Sequence, residues 1–317
     1  MYSALSFDRF GEPAEVLQIV RQEENELPSD FVRVKMIAAP INPSDLIPIT
    51  GAYRHRTKIP MIPGYEGIGQ IVQLGKNVKN LQLGQRILPL QGNGTWSDFV
   101  DSPADFAFPV PDELSDLTAC QLYINPLTAY ILCTQVLKLQ AGQILAVNAC
   151  GSAIGKLFAQ LSTILGFELI AIVRNDKHTE KLLELGALRV FNTANESLSE
   201  LPILDAAIDS IGGFDGTELA KKVKTGGKFE TLGLFSGQQV DWQMIAKLPI
   251  TAEIFHLRHW NAKLSVAEWQ EMMTTVVDLV RSNQLKIENP VKIFHYKDYK
   301  KALESEFAGK KILQFMV

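Results

Sequence analysis

Beyond Leu117 the chain repeats one pattern that leaves little choice of fold. The apolar runs QILAVNA (143–149), ELIAIVR (168–174), DAAIDSIG (205–212) and GGKFETLGL (226–234) lack the alternation of a half-exposed strand. Between them lie SAIGKLFAQLSTILG, DKHTEKLLELGA and DGTELAKKV, whose apolar residues recur at helical spacing. Strands apolar on both faces, each followed by a helix, are stable as a parallel sheet covered on both sides. The expected unit is therefore α/β and doubly wound, a layout that binds nucleotides at its strand ends. Gly166 predicts the end of the first of these helices.

The first third has another rhythm. FVRVKMIAAPINPSD (31–45) alternates and then breaks at prolines. GIGQIVQLG, QRILPL and GTWSDFVDSPADFAFPVP continue as short strands separated by turn residues, which predicts a small barrel or sandwich. DLTACQLYINPLTAYILCTQVLKL (116–139) reads as helical, with Asp116 available as its N-cap. A long amphipathic helix is expected in SVAEWQEMMTTVVDLVRSNQL (265–285), followed by strand-like VKIFHY and KILQFMV around a helix in YKKALESEFAG. A chain of 317 residues suits two domains. The expected division is 1–118 plus 265–317 for the first and an inserted 119–264 for the second.

Composition narrows the function classes. A formal net charge of -4 argues against nucleic acid as a partner. The short basic pieces AKKVK (220–224) and AGKKIL (308–313) read as solvated surface. Cys120, Cys133 and Cys150 are too far apart for a zinc cluster and odd in number for a disulfide framework, so they read as buried small apolar groups. No apolar run approaches the roughly 20 residues that span a bilayer. The expectation is a soluble cytoplasmic protein with no membrane association.

ILAVNACGSAIGKLFAQ (144–160) puts a tight turn between a strand and a helix, where backbone N–H groups and the helix dipole suit a pyrophosphate. The G-x-G-x-x-G pattern falls on Cys150, Ser152 and Gly155, with Gly151 adding local freedom. At the end of the next strand stands Arg174, where an NAD site would carry Asp or Glu. A guanidinium there suits a ribose 2′-phosphate, so NADP(H) is the expected cofactor.

Several motifs, taken in order, resemble a known family. INPSD (41–45), GAY (51–53), PGYEG (63–67), NPLTAY (125–130), VNACGSAIG (147–155), IVRND (172–176) and IFHLRHW (254–260) together are similar to the medium-chain dehydrogenase/reductase superfamily. Within it they most resemble the mitochondrial-type 2-enoyl thioester reductases, and next the quinone reductases. The resemblance covers essentially the whole chain. It implies a GroES-like β-barrel catalytic domain with an inserted doubly wound Rossmann domain, and a homodimer joined through sheet edges. His256 departs from the family's tryptophan, and Cys150 and Ala153 depart from its phosphate turn.

The same resemblance implies site residues. Tyr65 stands where zinc-dependent members carry histidine, and no cysteine precedes Cys120, so no metal is expected. Reduction of an activated C=C needs a proton donor instead, and a phenol, with its ordinary pKa near 10, stays protonated at neutral pH. The implied donor is Tyr53. Implied cofactor contacts are Asn42, Asn125, Thr128, Gly151, Ser152, Ala153, Ile154, Gly155, Arg174, Gly233, Leu234, Phe235, Phe255 and Lys310, although Lys310 in its Lys-Lys pair also reads as surface charge. Asp45 is implied to hold a loop, and Tyr65, His256 and Trp260 to line the acyl pocket. Arg54, His55 and Arg56 follow Tyr53 directly, as an anion-attracting rim or as solvated loop. The activity implied is NADPH-dependent reduction of enoyl thioesters, with quinone reduction and non-catalytic NADPH binding as alternatives.

Overall fold

The computed structural model describes residues 1–287 and 290–315, and its strands form three sheets in two sets, a two-stranded ribbon with a seven-stranded sheet in the first and a six-stranded sheet in the second. In chain order, β1 (Tyr2–Ser6) and β2 (Gln18–Gln22) form an antiparallel ribbon. Then come β3 (Phe31–Pro40), β4 (Ile68–Leu74), β5 (Arg86–Pro89), β6 (Phe99–Pro103) and β7 (Ala107–Pro109), all joined antiparallel. The register of β3 slips at Arg33/Val34 and at Met36/Ala38. Such bulges bend a long strand, and β3 here pairs with both β4 and β6. Val32, Val34, Met36, Ile71, Trp96 and Val100 are all buried in the core beneath it.

The second set is wholly parallel. It consists of β8 (Ile144–Val147), β9 (Glu168–Val173), β10 (Arg189–Asn192), β11 (Leu204–Asp209), β12 (Val223–Thr231) and β13 (Thr251–Ile254), in the spatial order β10-β9-β8-β11-β12-β13. The order reverses between β8 and β11, which opens the crevice where doubly wound sheets take their ligands. Ala146, Ile170, Phe191, Ala207 and Phe229 build the core of this unit. One buried group is out of character: Glu230 of β12 stands beside Glu253 of β13. Burial, reinforced by the Glu253 charge, pushes the Glu230 carboxyl up to about 7 against the opposing pull of Lys228. Lys228 donates to the Val136 carbonyl.

The last strands, β14 (Val291–His295) and β15 (Lys310–Gln314), return to the first sheet, where β15 pairs with Pro40, Ala39 and Ala38 of β3. The helix Val266–Arg281 buries Trp269 against the rings of Phe106, Phe108 and Tyr123. One unit thus comprises Met1–Ile124, Val266–Arg281 and Asn289–Val317, and the other Asn125–Ser265 with Ser282–Glu288. The sequence reading kept 282–288 with the first domain. The Gln160 side chain draws it to the second, accepting from the Lys286 N–H at 2.7 Å and donating to its carbonyl at 3.0 Å. Met316 and Val317, the end of the expected strand KILQFMV, lie outside the described residues.

The stretch 116–139 also differs from expectation. Ser115, not Asp116, caps it, its hydroxyl accepting from Thr118 N–H, while Asp116 pairs with Arg86 at 2.7 Å. The helix stops at Ala119, resumes over Ile124–Ile131 and widens to a π-turn at Leu132–Val136. Cys120, Cys133 and Cys150 are buried free thiols, as expected. Among the described residues no helix is long and apolar enough to cross a membrane.

Candidate active site

In the first unit, INPSD becomes the start of the helix Pro43–Thr50, with proline at its first position. Asp45 reaches back to accept from Asn42 N–H at 2.7 Å and also accepts from Tyr65 N–H at 3.1 Å, so it holds two loops together. Burial pushes its carboxyl up to about 7, against the pull of the Asn42 N–H. Gly51 ends the helix at φ 82°, a conformation that glycine adopts without strain. The chain then makes one more helical turn. The Tyr53 carbonyl accepts from Arg56 N–H at 3.0 Å, Thr57 N–H at 2.9 Å and the Thr57 hydroxyl at 2.9 Å. Helical closure puts residue i+3 on the face of residue i, and the Arg56 guanidinium lies 3.8 Å from the Tyr53 ring centroid. His55 meets the same ring edge-on, and Arg54 lies over Phe10.

Behind this helix runs a buried polar chain. Lys310 Nζ donates to Asn42 Oδ1 at 2.6 Å, and Asn42 Nδ2 donates to Glu66 Oε1 at 2.8 Å. Glu66 Oε2 accepts from Tyr123 N–H at 3.1 Å and Ile124 N–H at 2.8 Å. Burial raises the Glu66 carboxyl, while Lys310 and these donors act against it. Lys310 is only 7% exposed, which corrects its reading as surface charge. Neighbouring strand residues face opposite ways, so a Lys-Lys pair can have one member inside. Tyr65 is 40% exposed. Among the described residues no three His, Cys, Asp or Glu side chains gather as a metal site would require.

In the second unit the turn after β8 is tight. Ala149 takes φ 51°, uncommon for a residue with a side chain. Ser152 caps the helix Ala153–Leu165 by accepting from Gly155 N–H at 3.2 Å. A Cβ on Gly155 would lie 2.1 Å from the Cys150 carbonyl oxygen, and one on Gly151 would lie 2.4 Å from the His178 ring. The Cys150 side chain is fully buried. His178 is lowered by burial and then by the charges of Lys156 and Lys177, so the mouth of the turn is electropositive. Arg174 stands exposed at the end of β9, whereas Asp176 accepts from Asn192 at 2.8 Å. A glycine-containing turn at a helix start, with a positive rim, fits a dinucleotide pyrophosphate.

Asn148 bridges the crevice between β8 and β11, donating to Asp209 and accepting from Ser210 N–H at 2.7 Å. Phe235 N–H donates to the Ser210 carbonyl, placing Gly233, Leu234 and Phe235 at the same strand ends, with Phe235 70% exposed. Phe255 and Trp260 rings lie 6.3 Å apart, and His256 meets His259 at 5.0 Å. Asn125 and Thr128 lie one turn apart on the helix Ile124–Ile131, with Thr128 buried. The sequence reading assigned no role to Glu66, Asn148, Asp209, Lys156 or His178. Glu66 and Asn148 stood inside the quoted motifs, polar residues flanked by apolar ones.

Comparison with known proteins agrees with this geometry. Residues 28–112 match the alcohol dehydrogenase GroES-like domain. The chain is 32% identical to the mitochondrial enoyl-acyl-carrier-protein reductase of Rattus norvegicus, over 95% of this chain and 84% of that one. It is 47% identical to a Bacillus thuringiensis protein of known structure, provisionally assigned as an NADPH:quinone reductase, with a TM-score of 0.96 and 99% of each chain covered. The Escherichia coli quinone oxidoreductase, solved with NADPH, shares the fold at a TM-score of 0.88 and 21% identity, over 98% of this chain and 99% of that one. The chain belongs to the medium-chain dehydrogenase/reductase superfamily, in the zinc-independent branch that includes the mitochondrial enoyl reductases.

Proposed function

We propose that this chain is an NADPH-dependent reductase of 2-enoyl thioesters in which Tyr53 donates the proton. The observation that carries the reading is the Tyr53 turn: a tyrosine whose backbone carbonyl accepts three hydrogen bonds and whose ring lies against Arg56, directly after a helix anchored by buried Asn42 and Asp45. Similarity to the rat enoyl reductase over nearly the whole chain supports the substrate class.

When bound, NADPH supplies the hydride that adds to the β-carbon of the enoyl group. Gly151 to Gly155 would receive the pyrophosphate at the helix start, with Ser152, Ala153 and Ile154 in its first turn. Arg174 would take the 2′-phosphate, to which its exposed guanidinium can offer charge-assisted bonds. Asn125, Thr128, Gly233, Leu234, Phe235 and Phe255 are assigned to the nicotinamide half, and Tyr65, His256 and Trp260 to the acyl pocket. Lys310 and Asn42 act indirectly, by holding the helix that ends at the Tyr53 turn. Negative charge developing on the α-carbon and thioester oxygen is discharged when Tyr53 gives its phenolic proton to the α-carbon. A homodimer paired through β13, an edge of the parallel sheet, completes the reading.

Quinone reduction is the second reading, favoured by the 47% identity to the Bacillus thuringiensis protein. Tyr53→Phe separates the two. Crotonyl-CoA reduction with NADPH should fall about 10²–10⁴-fold, the usual range for a general acid, while quinone turnover stays unchanged. Unchanged crotonyl-CoA turnover would overturn the first reading.

A further inference from the structure

The Tyr53 turn carries a second side chain whose position calls for a role. Arg56 lies with its guanidinium carbon 3.8 Å from the Tyr53 ring centroid. Among the described residues no carboxylate forms an ion pair with Arg54, Arg56 or Lys58. The unit's buried acids are spent elsewhere, Asp45 on two backbone N–H groups and Glu66 on Asn42, Tyr123 and Ile124. Arg54 is turned to Phe10, and its Nε donates to the Gly51 carbonyl. The cation nearest the phenol ring is therefore Arg56, with His55 at the ring edge.

We propose that Arg56 is a positioning residue for Tyr53, fixing its ring and stabilising the phenolate that proton donation leaves behind. This rests on the Tyr53 reading above. In that step the phenolic O–H bond breaks, its proton forms the new C–H bond at the α-carbon, and the electron pair stays on the phenolate oxygen. Water later restores the proton. A guanidinium keeps its charge at every accessible pH, so it faces a neutral ring before transfer and an anionic one after it. The attraction to a neutral ring is modest, and the attraction to a phenolate adds full Coulomb energy. Only that increase accelerates the reaction, because it is absent from the ground state. The spacing explains how it arose: Tyr-x-x-Arg inside one helical turn puts the cation on the ring face.

The test is a double-mutant cycle in the full chain with NADPH and crotonyl-CoA. Arg56→Gln should lower kcat about 10–100-fold with KM within about threefold, the signature of an interaction gained on the way to the transition state. Arg56→Lys should recover most of the rate. In the Tyr53→Phe background, Arg56→Gln should change kcat by no more than about twofold, since the two residues act as one. Equal losses in both backgrounds, or no recovery with Arg56→Lys, would overturn the role of Arg56 while leaving Tyr53 as the donor. If Tyr53→Phe alone costs nothing, the donor reading fails, and the role of Arg56 fails with it.

Discussion

Lys310 Nζ reaches Asn42 Oδ1 at 2.6 Å inside the first unit, joining the last described strand to the cap of the helix that precedes Tyr53. On the other side of Asn42, Glu66 is buried. Lys310→Met should destabilise the chain by roughly 2–4 kcal/mol, because it leaves a buried acceptor and a buried carboxylate uncompensated. Adding Glu66→Gln should recover part of this. Urea unfolding of the single and double variants measures both, and equal stabilities for Lys310→Met and the wild type would refute the network's importance.

Glu230 makes stability depend on pH. Its folded carboxyl titrates at about 7, above its ordinary value of 4.5, so between those values the folded chain holds a proton that the unfolded chain releases. The contribution is full below about pH 4.5 and is lost as the pH rises through about 7. Glu230→Gln should be stabilising by roughly 1–3 kcal/mol at pH 8 and close to neutral at pH 4.5. Denaturation curves at the two pH values check the sign. A constant difference between wild type and variant would show that Glu230 is not the titrating group.

At the phosphate turn, backbone and side-chain crowding predict different outcomes. Gly155→Ala drives a methyl against the fixed Cys150 carbonyl and should weaken NADPH binding at least about tenfold while costing about 1–3 kcal/mol. Gly151→Ala meets the His178 ring, which can rotate, so its effect should be smaller and His178→Ala should relieve it. Fluorescence transfer from protein to bound NADPH gives both affinities.

Arg174→Gln should alter cofactor choice and little else. The exposed guanidinium at the end of β9 has a charge-assisted pair to offer a 2′-phosphate, worth about 1.5–3 kcal/mol. The specificity constant for NADPH should drop about 10–100-fold, with that for NADH within about twofold. Steady-state rates with each cofactor decide it.

The parallel sheet was legible because its strands are apolar on both faces and its helices carry clear ends, Gly166 among them. The stretch 116–139 was not. Its apolar spacing is helical throughout, yet the N–H groups of Tyr123 and Ile124 go to Glu66, more than fifty residues away in sequence, and no local pattern records that acceptor. Lys310 was misread for a similar reason: composition sees two adjacent lysines, whereas a strand sends them to opposite faces. His178 comes beside Gly151, within reach of the Lys156 charge, only because a strand, a helix and another strand bring them together. The spacing from Tyr53 to Arg56 lay in plain view but meant nothing until the backbone was seen to close into a turn.

The place of Lys310 after the inserted unit in the chain has a consequence for biosynthesis. A ribosome releases every residue of the parallel-sheet unit before it releases β15. That unit can mature as soon as it emerges, whereas the other must wait, with Asn42 and Glu66 lacking their cation until β15 has been made. Nascent chains arrested short of position 310 should therefore resist protease in the inserted unit while the flanking one is still cut.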